Sequence, residues 1–381
     1  MSSPPKARVE SRGTRPALFW YPLLSLLVAG LSFAVIGPFY MAIDGWIYTA
    51  QVEQMARGSL VLEPFSVALR AFKPFHGWIG SLLVPPLTPE QSLQLLNLAF
   101  GFALPFAGYW FLRELEIDSH SAFWGGAWIV TGYPMLKYGL AIATDLGSWV
   151  FALLTVALVL RAMRKDSLAL LAAASVVGFL GGTVKETGVI GLLFGGFALL
   201  FTAGARPWRW TLVKILTLAL PALFLELGLF AYLISQGFPS FLEWFGLNSE
   251  WYPTPWSERL FMFVGVNGSA FHLIGLFALV GAGVFLAGQR SYLGRFPVAY
   301  GLALLLAPLP VYFWPLYIGR ILYIQILIVV PLALTGVAWM ASRFPEGRQQ
   351  IVSRILYLAP MGAAIALFLL AGKGSLFDLL R

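Results

Sequence analysis

The chain has 381 residues, of which 59% are hydrophobic and only 11% charged, a net charge of +8 and no cysteine. Such a composition excludes a soluble domain of this length, whose exterior would need far more charge. It also excludes disulfides, thiol catalysis and thiolate metal sites, and the basic excess forms no patch for nucleic acid because lysines and arginines sit singly at the ends of apolar runs.

Residues 1–16 are polar and carry Lys6, Arg8, Arg12 and Arg15, which predicts a cytoplasmic tail. The apolar run from 17 to 43 is too long for the core of a signal peptide and predicts an uncleaved first span. Further apolar runs lie near 92–112, 119–138, 146–162, 168–184, 188–204, 211–235, 261–288, 297–317, 321–341 and 355–372. Runs of about 20 residues cross the hydrocarbon layer as helices, and the absence of alternation argues against barrel strands. The expectation is an all-α polytopic membrane protein with about eleven transmembrane helices. Residues 17–372 are expected to form one transmembrane domain, followed by a tail at 373–381.

With the N-terminus inside, the cytoplasmic segments hold 16 of the 25 lysines and arginines and the outer segments 9. That is the asymmetry the positive-inside rule requires. Two outer segments are long, about 43–91 and 236–260, and both are rich in Trp, Tyr, Phe and Pro. They should lie on the membrane surface, with an interfacial helix from 46 to 57. No internal repeat is visible, which counts against the inverted-repeat transporters.

Ionisable residues at span ends are costly in a membrane and therefore informative. On the predicted outer side these are Asp44, Lys137, Asp145, Lys185, Glu186 and Arg320. Asp44 either marks the end of the first span, where an acid at a helix C-terminus is mildly unfavourable, or serves chemistry. Asp145 could hold a metal, orient a basic group, bind a sugar hydroxyl or cap the helix it precedes. Lys185 and Glu186 interrupt two apolar runs; the lysine can anchor a phosphate while the acid sets its position, or both simply reach water. Arg320 suits a phosphate, or a salt bridge to one of these acids. Glu226 stands inside an apolar run and could relay protons or pair with Lys185 or Arg320. His272 reads as a packing residue, and Gly191 with Gly195 as a weak helix-packing signal.

The order of these features resembles the GT-C superfamily of membrane glycosyltransferases, which use polyprenyl-phosphate sugars as donors. The resemblance is nearest to bacterial members akin to protein mannosyltransferases and the aminoarabinose transferase. It covers residues 17–341 and rests on an early acid after the first span, Tyr-Pro-Met-Leu-Lys-Tyr-Gly-Leu-Ala-Ile-Ala-Thr-Asp, Gly-Gly-Thr-Val-Lys-Glu-Thr-Gly and Gly-Arg-Ile-Leu-Tyr. The resemblance implies Asp44 as the catalytic acid of the first outer loop and Asp145 as the second outer acid, a sugar or metal contact. It implies Lys185, Glu186 and Arg320 at the lipid phosphate; Lys137, on the same predicted face, is a further candidate for phosphate binding. Two departures stand out: a single acid at the first site where several relatives carry adjacent acids, and Arg-Ile-Leu-Tyr in place of Arg-Tyr.

The reaction so implied is inverting transfer of a sugar to a lipid, glycan or protein acceptor at the outer face of a prokaryotic plasma (inner) membrane. It needs a base for the acceptor and cations for the departing phosphate. No cofactor is demanded, although magnesium or manganese on the acids is compatible with the same residues. The alternatives are a secondary transporter or flippase relaying through Glu226, Lys185 and Arg320, and a non-catalytic membrane subunit with a degenerate transferase fold.

Overall fold

The computed structural model describes residues 18–40, 44–59, 65–68, 70–204, 207–251, 256–288, 298–313 and 318–372. The two tails expected at 1–16 and 373–381 lie outside the described residues. Among the described residues every regular element is helical.

Local sequence sets the helix ends. The first helix, α1 (Trp20–Val35), is shorter than its apolar run because the chain turns at Gly37, whose φ of 98° only glycine adopts freely. The Gly37 N–H donates to Phe33 O, and Pro38 prevents the helix from resuming. Asp44 therefore opens α2 (Gly45–Ala56) rather than ending the first span, which corrects the reading of an acid at a helix C-terminus. The surface helix expected at 46–57 is this α2. After α3 (Phe65–Ala68) and α4 (Pro74–Ser81), α5 (Pro89–Glu114) begins with a capping box in which Thr88 and Gln91 satisfy each other's backbone N–H.

The run expected to span 119–138 is divided. α6 (Ser119–Thr131) stops at Gly132, ahead of Pro134, and a π-helical turn (Met135–Gly139) follows. The residue before a proline disfavours helix, which accounts for the break. Then come α7 (Asp145–Lys165), α8 (Leu168–Val184), a 3-10 turn (Glu186–Val189), α9 (Ile190–Phe201) and α10 (Trp208–Ser235). The second long loop contains α11 (Phe241–Trp251). α12 (Trp256–Leu286) is broken at His272, whose φ of 30° is non-helical; its ring Nδ1 accepts from the Leu273 N–H. α13 (Val298–Leu306) and α14 (Leu309–Tyr312) follow, then α15 (Gly319–Leu322), which runs through a 3-10 turn into α16 (Ile326–Ser342), and last α17 (Glu346–Ala371).

Among the described residues six helices are long and apolar enough to cross a membrane, and four shorter apolar segments accompany them. The arrangement is thus an all-α, multi-pass one, without support for the count of eleven. α7 is largely buried, packed on α5, α8 and α9, with Trp149, Leu153 and Val156 in the core. Gly191 and Gly195 do permit close packing: a Cβ at Gly191 would lie 2.6 Å from Thr155 Cβ, and one at Gly195 3.0 Å from Val159. α10 and α17 turn Leu223, Phe224, Leu227, Ile355 and Leu369 outward, as helices facing lipid do.

Candidate functional site

Asp44 and Asp145 are brought side by side by backbone and side-chain ties. The Ile142 N–H donates to Tyr40 O at 2.8 Å, joining the segment before Asp145 to the one before Asp44. Asn97 on α5 donates to the carbonyls of Ala141 and Ala143, at 2.7 and 3.0 Å, and His76 lies against its oxygen at 3.4 Å. Burial pulls the His76 imidazole down to about 4 against the hydrogen bond to Asn97, so the ring is neutral. Thr144 donates to Tyr48 Oη at 3.2 Å, tying the start of α7 to α2.

Arg320 then joins the two acids. Its Nη1 lies 3.1 Å from Asp44 Oδ1 and 3.1 Å from Asp145 Oδ2, and its Nη2 3.1 Å from Asp44 Oδ1. Lys185 Nζ donates to Asp145 Oδ1 at 2.5 Å, and Arg70 lies 3.8 Å from Asp44 Oδ2. Asp44, Asp145, Lys185 and Arg320 are all buried. Helix ends favour this placement. Asp145 occupies the first turn of α7, where the dipole stabilises an acid, and Lys185 follows the C-terminus of α8, where it stabilises a cation. Asp145 makes ion pairs in place of the capping bond that its position had suggested, and Arg320 adopts the salt-bridge alternative.

The expected partnership of Lys185 with Glu186 is not what forms. Lys185 has an extended backbone, φ −164° and ψ 153°, so consecutive side chains leave on opposite sides. Lys185 reaches Asp145, whereas Glu186 pairs with Lys73, just ahead of α4. The turn is tight: a Cβ at Gly188 would fall 2.1 Å from Gly181 O. Lys137, in the π-helical turn, is buried over the rings of Tyr133 and Tyr138, 6.0 and 5.8 Å from their centroids. Glu226 lies half-buried on α10, while Lys185 and Arg320 take Asp145 and Asp44 as partners, not Glu226.

Arg70 and Lys73 belong to this cluster but were not singled out from the sequence. Charges in an amphipathic surface loop are ordinary, so only the fold distinguishes them. For Asp44, burial opposes ionisation, but Arg320, Lys185 and Arg70 outweigh it and hold the carboxyl well below the usual carboxylate range. Burial lowers the Lys73 ammonium against the opposing pull of Glu186. The donor set does not fit a divalent metal. The two acids are already bridged by a guanidinium, and among the described residues no group of three or more His, Cys, Asp and Glu side chains comes together to hold one.

No protein-family model matches the chain, and no curated protein matches it in sequence. Solved structures do match in fold. The oligosaccharyltransferase AglB of Archaeoglobus fulgidus, in complex with an inhibitory peptide and a dolichol-phosphate, has a TM-score of 0.60 at 12% identity, over 94% of this chain and 56% of its own. ArnT of Cupriavidus metallidurans, bound to undecaprenyl phosphate, has a TM-score of 0.56 at 15% identity, over 95% of this chain and 74% of its own. The Archaeoglobus oligosaccharyltransferase in complex with zinc and sulfate gives 0.56 at 14%, over 92% and 53%. The chain thus spans little more than half the length of the oligosaccharyltransferases. The fold is GT-C-like, as the resemblance in the sequence implied.

Proposed function

We propose that this chain is a membrane glycosyltransferase that moves a sugar from a polyprenyl-phosphate donor to an acceptor at the face carrying Asp44. That face is the outer one by the lysine and arginine asymmetry, in a prokaryotic plasma membrane. The observation that carries the reading is the placement of Arg320 within 3.1 Å of both buried acids, with Lys185 against one of them. An ionised carboxylate and two buried cations then stand within one side chain's reach of each other.

In the proposed reaction, an Asp44 oxygen takes the acceptor proton as the acceptor attacks the anomeric carbon. The bond from that carbon to the phosphate oxygen breaks, and polyprenyl phosphate leaves with the electron pair. One displacement inverts the sugar carbon. Lys185 and Arg320 meet the charge that develops on the departing phosphate. While Arg320 rests on Asp44, the carboxylate is ionised but weakly basic. A phosphate that draws Arg320 and Lys185 toward itself restores basicity to Asp44, so the base gains strength only when donor is bound. Asp145 keeps both cations in register. The AglB structure holds a dolichol-phosphate and the ArnT structure undecaprenyl phosphate, lipid phosphates of the kind that the proposed donor would release.

The test is transfer from polyprenyl-phosphate sugars by the purified chain in proteoliposomes. Asp44→Asn is expected to lower the rate by about 10²–10⁴-fold, the usual worth of a positioned base. Undiminished transfer by that variant would remove Asp44 from the chemistry. Ion-gradient-driven uptake without transfer would favour the transporter instead.

A further inference from the structure

We infer that Arg320 is the built-in counterpart of a bridging metal, so that Asp44 and Asp145 form a guanidinium-bridged pair that admits Mg²⁺ or Mn²⁺ only when Arg320 is removed.

Two carboxylates facing one another at a membrane edge are the usual material of a divalent-cation site. Here each of their four oxygens already faces a cationic nitrogen. Asp44 Oδ1 accepts from Arg320 and Asp44 Oδ2 faces Arg70 at 3.8 Å. Asp145 Oδ1 accepts from Lys185 and Asp145 Oδ2 from Arg320. A cation touching both acids would stand against Arg320 Nη1, which is 3.1 Å from an oxygen of each. Like charges in a buried setting repel strongly.

Charge and ligand supply point the same way. Three cations, Arg70, Lys185 and Arg320, lie against the two acids, so an added cation would enter among like charges. Mg²⁺ needs near-octahedral oxygen ligation. The neutral oxygens nearby are engaged: Ser148 donates to Asp145 O at 2.7 Å and shares a 2.8 Å bond with Thr187. Thr144 donates to Tyr48, and the Asn97 side-chain oxygen lies against His76 at 3.4 Å. The arginine also differs from a metal in a useful way. It is tethered to α15 and can swing toward an arriving anion without leaving the site, which an exchangeable ion does not guarantee.

As a statement about cofactor use, this rests on the transferase reading; as a statement about cation binding, it does not. The experiment is therefore a Mn²⁺ titration of the full-length protein in detergent, following the free-ion electron paramagnetic resonance signal. Wild type and Asp44→Asn are expected to give the same titration. Arg320→Gln, which keeps hydrogen-bonding capacity but loses the charge, is expected to bind Mn²⁺ about tenfold tighter or more. That gain should vanish in Arg320→Gln with Asp145→Asn. Tight Mn²⁺ binding by wild type that Asp44→Asn abolishes overturns the inference, and this comparison needs no Arg320 variant to fold. A folded Arg320→Gln that gains no Mn²⁺ binding also overturns it. Failure of sugar transfer, by contrast, touches only the transferase reading.

Discussion

The two ends of α7 hold ion pairs of opposite character. At its start, Asp145 meets Arg320 from 175 residues away and Lys185, while Asp44 meets Arg320 from 276 residues away, all of them buried. At its far end, about 30 Å along a 21-residue helix, Arg161 and Arg164 pair with Glu114, and Lys214 pairs with Asp166. There one partner in each pair reaches water: Arg161 and Arg164 are 42% and 41% exposed and Asp166 is 49% exposed. The far end uses charge as a membrane-edge marker between neighbouring helices. The near end uses it to close a long-range polar centre, and such a centre has few structural reasons to exist unless it acts on something.

The widest separation between the two ends should come from deleting one cation at each. Arg320→Met leaves two buried carboxylates without their bridge. It is expected to cost about 3–5 kcal/mol, the usual penalty for orphaning a buried charge, read as a lower unfolding temperature in detergent. Lys214→Met, whose partner is half exposed, is expected to cost about 1 kcal/mol or less. Equal losses at the two sites would erase the distinction.

A narrower probe is the coupling energy within one pair. A double-mutant cycle of Lys185→Met with Asp145→Asn is expected to give about 1–3 kcal/mol, as for contacting groups in a buried network. The matching cycle of Arg164→Met with Glu114→Gln should be smaller, because water screens the exposed arginine. The order of the two couplings is what matters, and a reversal would contradict the contrast.

Much of this contrast is legible in residue order, and the remainder is not, for identifiable reasons. The run at 168–184 is α8 to the residue, since Ser167 caps it and Lys185 ends it. Runs at 17–43 and 119–138 overshoot because hydropathy does not register the stops at Gly37 and at Gly132 with Pro134. That Asp44, Asp145, Lys185 and Arg320 share one face follows from topology alone. Their pairing does not: adjacency suggested Lys185 with Glu186, but an extended backbone at Lys185 sends the two apart. Arg70 and Lys73 carry no sequence signal of their own, because basic residues are common in a surface loop. They become partners only when the first loop folds over the α8 terminus.

The smallest expected effect is a null one, and it tests the electrostatics of the near end directly. Asp44 has a folded-state carboxyl below its ordinary value because Arg320, Lys185 and Arg70 outweigh its burial. A depressed acid contributes stability that is complete above its unfolded value, about 3.9, and is lost as pH falls toward the folded one. Between about pH 5 and 8 the carboxyl is therefore ionised in both states. The stability difference between wild type and Asp44→Asn should stay constant across that range and shrink only below about pH 4. The check is a set of thermal unfolding curves for both proteins in one detergent at matched ionic strength. A difference that already shrinks between about pH 8 and 5 would mean that burial prevails over the three cations. Asp44 would then be protonated near neutrality and unable to take a proton from an acceptor.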